Sequence, residues 1–405
     1  MLIYGFKSAM YANCFYGDLA LKRLIILLPT IMMFMNGCTS GATSSSTPIS
    51  QTQSSYQFVI DAGSSGSRIY VYNKLSTESG VIINDLYESK VSIPLASFAN
   101  NASSAGNEGI QPLLISAINF VQLTESGINL AQIQTSVLGT AGMRLLTESQ
   151  QEAIYRSVAD TIAKDHLTVN DVETITGQYE GIYSWADVNY LSNNFATQIT
   201  NGVVEVGGAS AQIVFATTQS LGESIVKVAI NNKNYNVYSS SFLGLGQDSA
   251  RKHMDELSDH DTCYPVGYEE SNRNIVGAFS FAGCAVNYSD VLSAYPQIDQ
   301  IKNIDGFAAE SFVGVSSVYY ALNFWGIESQ PQLLSQNINN TCSESFAEIK
   351  QQYPNAYKPE NQCANAILVN NMLFTNLSIR ESQLKAVNTI KGTSLTWTLG
   401  YALLN

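Results

Sequence analysis

Two stretches of the chain superimpose on each other. FVIDAGSSGSRIYVY runs from Phe58 to Tyr72 and VVEVGGASAQIVF from Val203 to Phe215. Aligning Asp61 with Glu205 places Gly63 on Gly207, Ser64 on Gly208, Ser65 on Ala209 and Gly66 on Ser210. The strand Ile69 to Val71 then falls on Ile213 to Phe215, at an offset of 144 residues. Each copy reads as strand, tight turn, strand: buried apolar runs broken by residues that tolerate unusual backbone angles. A duplicated unit at this separation predicts two similar domains, each offering one loop to a shared cleft.

The chemistry of the turns suggests a ligand. A hairpin tip of Ser and Gly exposes backbone N–H groups, and those of Ser64, Ser65 and Gly66 are placed to close on a phosphate, with hydroxyls as further donors. Gly207, Gly208 and Ala209 do the same in the second copy. Asp61 and Glu205 end the entering strands, where a carboxylate holds a cation through water. Taken alone, the first stretch is equally compatible with an ordinary hairpin carrying a capping Asp; the repeat favours the ligand.

Composition restricts the partners. The chain has 405 residues, 45% hydrophobic and 13% charged, with a net charge of −13. That suits a globular protein with room for two cores and argues against nucleic acid as a partner. An anionic small substrate then needs oriented N–H groups and a metal ion to supply positive potential locally. GxxxxGK[ST] does not occur, and His166, His253 and His260 are scattered, so neither a Walker loop, a zinc centre nor a Ser-His-Asp arrangement is supported.

The first ~40 residues are different material. Lys22 and Arg23 precede LIILLPTIMMFM, residues 24 to 35, an apolar run short for a membrane span and suited to an export signal. MNGC follows, ending at Cys38, and resembles a bacterial lipoprotein signal despite unusual residues at Met35 and Asn36; a plain cleaved signal is the alternative. The residues before Lys22 fit neither pattern, and Met10 is an alternative start. Residues 39–55 read as a flexible Ser/Thr-rich linker. Beyond the leader, Cys263, Cys284, Cys342 and Cys363 remain. In an exported chain they are expected as disulfides, with neighbours paired, while two other pairings and free thiols stay open.

DAGSSGSR and VGGASAQ resemble the phosphate loops of the actin, Hsp70 and sugar kinase superfamily. Within it the chain is similar to the ecto-apyrase, or nucleoside triphosphate diphosphohydrolase, family. LGTAGMRLL from Leu138, TGQYEGIYSWADVNYL from Thr176 and WTLGYALLN from Trp397 follow in that family's order. Weaker similarity runs through SFLGLGQDSAR, CYPVGY and YYALNFWGI. With the lipoprotein-type leader, a bacterial member is expected.

The resemblance implies an α/β fold of two actin-like lobes, mixed sheets flanked by helices, with the active site in the cleft between them. Lobe I is expected over 56–200 and lobe II over 201–382, with the C-terminal helix, 383–405, returning to lobe I. It implies a monomeric exported apyrase, periplasmic, anchored to the outer membrane by lipid on Cys38, or secreted. The substrates would be nucleoside tri- and diphosphates and the cofactor Mg²⁺ or Ca²⁺, with Mn²⁺ a third candidate. Glu180 matches the family's catalytic base. It sits at the start of a helix whose Ile182, Trp185 and Val188 recur as a core-facing stripe; a solvated first-turn Glu is the bland alternative. Thr140 matches a residue contacting the terminal phosphate and the water. Ser210 and Gln212 match positions lining the metal and water site. Arg144 is read as a tie between loops and left out of catalysis. Trp185 and Trp397 are read as packing residues, and Tyr319, Tyr320 and Tyr357 as candidates for the nucleobase.

Three alternatives share the loops: an exopolyphosphatase or guanosine pentaphosphate phosphatase, a sugar kinase, and a non-catalytic surface lipoprotein on the same scaffold. Glu205, where the family usually has Asp, is a departure; a carboxylate one methylene longer is expected to reach the ion through coordinated water.

Overall fold

Val59 and Ile60 are both buried because both faces of their strand are covered, as in the predominantly parallel interiors of α/β proteins. In the computed structural model, which describes residues 53–405 apart from Ser79, β1 (Gln53–Gly63), β2 (Gly66–Thr77), β3 (Gly80–Val91), β4 (Gln134–Gly139) and β5 (Thr168–Thr174) form one sheet in the order β3-β2-β1-β4-β5. The expected leader, Cys38 and most of the linker lie outside the described residues. Phe58, Ile60, Ile69 and Val71 point into a core with Leu113, Leu114, Val158 and Ile162. Leu113 and Leu114 come from α1 (Gln111–Thr124) and Val158 and Ile162 from α3 (Glu148–Lys164), while the short α2 (Ala141–Arg144) adds Met143 to the same core. Thr147 starts α3 with a capping box completed by Gln150.

The second sheet repeats the first. β6 (Gly202–Val206), β7 (Ser210–Ala216), β8 (Ile225–Ile230), β9 (Lys233–Leu243), β10 (Phe312–Ser316) and β11 (Leu384–Ala386) run in the order β11-β10-β6-β7-β9-β8. In each sheet a central strand pairs antiparallel with its hairpin partner and parallel with a strand from much later in the chain. The duplication extends to register. Asp61 pairs with Arg68 in β1 and β2, and Glu205 with Gln212 in β6 and β7, so moving both members by the same offset carries one pairing onto the other.

A helix from each half crosses to the other. α4 (Gly177–Leu191) follows β5 but packs on β6, β7 and β9, where Ile182, Trp185 and Val188 join Val203, Val214 and Val237 in a core shared by both sheets. The stripe expected on one face understates this burial: every residue from Glu180 to Asn189 is buried.

The second half carries α5 (Gln247–Asp255), α6 (Phe281–Ser293), α7 (Ser317–Asn323) and α8 (Gln362–Asn370) between its strands. Disulfides join Cys263 to Cys284 and Cys342 to Cys363, the neighbour pairing, and all four sulfurs belong to the core of this half. Last comes α9 (Trp397–Leu404), which packs on α4 and on β1, β2 and β3. Thr398 Oγ1 lies 2.8 Å from Tyr72 Oη, and Lys74 Nζ donates to Ala402 O at 3.0 Å. Gly400 permits the close approach of the two helices, since a Cβ there would lie 1.9 Å from Tyr183 O. Trp185 and Trp397 are packing residues in this shared core.

Candidate active site

The duplicated turns meet. Gly63 pairs with Gly66 to close the first, and Gly207 N donates to Ser210 O at 2.9 Å to close the second. A Cβ on Gly208 would lie 2.6 Å from Ser64 Oγ, so the two turns approach closely enough that a side chain there would have to displace that hydroxyl. Thr140 joins them: β4 runs parallel to β1, and Thr140 N donates to Ala62 O at 3.2 Å. Thr140 is buried, and its side chain does not cap α2.

Three carboxylates face this junction from three elements, Asp61 from β1, Glu205 from β6 and Glu180 from α4. The Thr176 hydroxyl caps α4 by accepting from Tyr179 N, which sets Glu180 in the first turn, pointing inward at 8% exposure. A solvated Glu is therefore excluded. Arg144 Nη2 and Gln212 Nε2 both donate to Glu180 Oε2, the latter at 3.2 Å. Gln212 Nε2 also bonds Ser210 Oγ at 2.7 Å and Ser241 Oγ at 3.2 Å. Glu205 is held by Ser184 Oγ on Oε2 and by Ser316 Oγ on Oε1 at 3.0 Å.

Crowding of like charge in a poorly solvated site moves the acids upward. Burial and then the Glu180 charge push Asp61 up to about 7, with Arg68 pulling the other way and Glu205 adding to the push. Burial and the Glu180 charge likewise push Glu205 up to about 7, against the hydrogen bonds from Ser184 and Ser316. Burial raises Glu180 too, opposed by the Arg144 guanidinium.

The donor set suits a cation that keeps most of its water. Asp61 Oδ1 is buried without a hydrogen-bond partner, an acceptor that costs free energy unless something occupies it. Among the described residues no three His, Cys, Asp or Glu side chains are disposed to ligate one ion. A metal here would take phosphate oxygens and waters as its remaining ligands, the habit of Mg²⁺.

Beside the turns opens a cavity of about 950 Å³. Ser65 and Gly66 line it, as do Tyr320 and Tyr357, with Arg68 and Lys90 on the side of the first sheet and Arg251 on the other. Tyr319 is absent from the lining and packs against the core of the second half. The catalytic candidates Glu180, Thr140, Ser210 and Gln212 are not among the residues that line it.

Four contributors escaped the sequence. Ser184 sits one helical turn after Glu180, a spacing that could have flagged it. Arg144 shares a motif with Thr140; its Nε ties to Ile175 O at 2.9 Å, so it does join loops, but its Nη2 holds Glu180 as well. Ser241 comes from β9, next to Gln212 in the sheet. Ser316 left no signal, because only the pairing of β10 with β6 brings it to Glu205.

A model of the GDA1/CD39 (nucleoside phosphatase) family matches residues 47–405. The chain belongs to that family. As a member it is an enzyme, a nucleoside phosphatase. Two relatives frame the nucleoside phosphatase: Probable apyrase 4 of Arabidopsis thaliana is 27% identical over 86% of this chain and 79% of its own length. Ectonucleoside triphosphate diphosphohydrolase 1 of Bos taurus is 27% identical over 86% of this chain and 80% of its own. Among solved structures, a nucleoside triphosphate hydrolase of Neospora caninum superimposes with a TM-score of 0.68 at 17% identity, covering 87% of this chain and 93% of that one. This likeness, with the two mixed sheets flanked by helices, identifies the fold as the expected actin-like α/β architecture.

Proposed function

We propose that the chain is an exported apyrase that removes the terminal phosphate from nucleoside tri- and diphosphates. The observation that carries this reading is the convergence of Glu180, Gln212 and Ser210 on the junction of the two duplicated turns. The N–H groups of Ser64, Ser65 and Gly66 on one side, and of Gly208 and Ala209 on the other, grip the polyphosphate, the Gly207 N–H expected to join them being taken by Ser210 O instead. A bound divalent cation, Mg²⁺ or Ca²⁺, would supply charge neutralisation on the phosphates, held through water by Asp61 and Glu205. Gln212, Ser210 and Thr140 position a water in line with the terminal phosphorus. Glu180 takes its proton as the water oxygen bonds to phosphorus and the bridging P–O bond breaks, its electrons leaving with the shorter nucleotide. The nucleoside occupies the large cavity beside Tyr320 and Tyr357.

We assign the first lobe to residues 56–200 and the second to 201–382; the expected return of 383–405 to the first lobe is corrected, because Leu384–Ala386 pairs in the second sheet and only the helix Trp397–Leu404 packs back on the first. Buried disulfides support export, since they persist in oxidising compartments. No described helix is long and apolar enough to cross a membrane; for the leader, which lies outside the described residues, a lipid anchor at Cys38 and a cleaved signal are the two readings.

Phosphate release from ATP, ADP and inorganic polyphosphate with added Mg²⁺ tests the reading. Release from both nucleotides is expected, with Glu180→Gln lowering kcat by ~10² or more while nucleotide still binds. Release from polyphosphate alone would make the chain an exopolyphosphatase, and no release from any of the three would remove the hydrolytic reading.

A further inference from the structure

We infer that Arg144 is a positioning residue that occupies one oxygen of Glu180 and thereby designates the other, Oε1, as the atom that takes the proton from the attacking water. The inference rests on the hydrolytic reading above. Its basis is an asymmetry: Arg144 Nη2 and Gln212 Nε2 both donate to Oε2, and among the described residues no donor reaches Oε1. A carboxylate oxygen bound to a guanidinium has its charge drawn away, so the unbound oxygen is the more basic one.

The clamp has little freedom to move. Arg144 Nε is tied to Ile175 O at 2.9 Å, on the residue just before the Thr176 cap of α4. The guanidinium is thus referenced to the base of the helix that carries Glu180. Both partners are enclosed, with side-chain exposures of 14% for Arg144 and 10% for Glu180. A charge buried this far requires a partner.

The surroundings make Arg144 necessary. Asp61 from β1 and Glu205 from β6 repel a negative Glu180, and Gln212 from β7 and Ser241 from β9 are neutral. Arg68, the other cation at the junction, acts on Asp61. Arg144 is the cation acting on Glu180. One donor is left over: Arg144 Nη1 is buried without a hydrogen-bond partner. A second role, direct contact with the phosphoryl group, would employ it, and the test separates the two roles.

The test measures steady-state ATP hydrolysis with Mg²⁺ by the full chain and four variants: Arg144→Ala, Arg144→Lys, Glu180→Gln and the double variant Arg144→Ala/Glu180→Gln. Arg144→Gln, closer in volume, replaces the alanine variant if that one does not fold. Positioning predicts that Arg144→Ala lowers kcat by about 10- to 100-fold with KM within about threefold. Arg144→Lys and added guanidinium ion should each restore part of the loss. Once Glu180 is gone, removing Arg144 should cost no further activity. An Arg144→Ala defect of the same size in the Glu180→Gln background would instead make Arg144 a direct phosphate contact and overturn the inference. Wild-type kcat in Arg144→Ala would overturn it while leaving the hydrolytic reading intact, and an inactive wild-type chain would overturn both.

Discussion

Ser184 on α4 donates its hydroxyl hydrogen to Glu205 at the end of β6, one helical turn after the candidate base Glu180 on the same helix. Ser316 holds the other oxygen of that carboxylate. The helix that carries the base therefore also fixes the acid assigned to the metal, and the two cannot shift independently.

Glu205→Ala should raise the Mg²⁺ concentration needed for half-maximal activity, whereas Glu205→Asp should stay active, because a carboxylate acting through coordinated water tolerates a changed reach. Ser184→Ala should give a smaller shift in the same direction. A metal titration of phosphate release measures all three, and an unchanged metal requirement in Glu205→Ala would remove Glu205 from the metal site.

Ser316 has φ of 55°, in the left-handed region that a side chain disfavours. Ser316→Gly should relieve this strain by about 1 kcal/mol or more, and Ser316→Ala should keep it; both lose the bond to Glu205. Thermal melts should accordingly rank Ser316→Gly above Ser316→Ala. The reverse order would mean that the strain costs nothing.

The metal-free protein should lose stability as pH rises through neutrality. Asp61 and Glu205 reach about 7 when folded, against values near 4 in the unfolded chain. Between those limits the folded state holds protons that the unfolded state has released. Their contribution is fully present below about pH 4 and is lost as pH rises to about 7. Melting in a chelator at pH 5 and pH 8 should show the higher midpoint at pH 5. Added Mg²⁺, which binds the ionised carboxylates, should raise the midpoint most at pH 8. A higher chelator-state midpoint at pH 8 would contradict the burial of these acids.

Each disulfide closes a loop with a sequence separation of 21 residues, worth roughly 3 kcal/mol through the unfolded state. Reductant should lower the melting midpoint, and alanine at either pair should do so without altering KM for nucleotide. The bridges lie in the core of the second half rather than at the turns.

What could be read from the chain alone is local chemistry repeated at a fixed offset. Gly, Ser and Ala at 63–66 and 207–210 announce two tight turns because small residues recur where the chain reverses, although of these eight only Gly66 has a φ that favours glycine, and the Thr176 cap announces where α4 begins and so where Glu180 sits. The tertiary structure decided the rest. Parallel neighbours such as β6 and β10 are joined by no turn, so nothing near Glu205 in the chain points to Ser316. α4 and α9 each follow one sheet and cover the other, an exchange settled by which apolar faces remain open after both sheets have formed. Tyr319 and Tyr320 are adjacent in the chain, yet only Tyr320 lines the cavity. Successive residues of α7 project in different directions, and packing of that helix chose which of the two faces the ligand space.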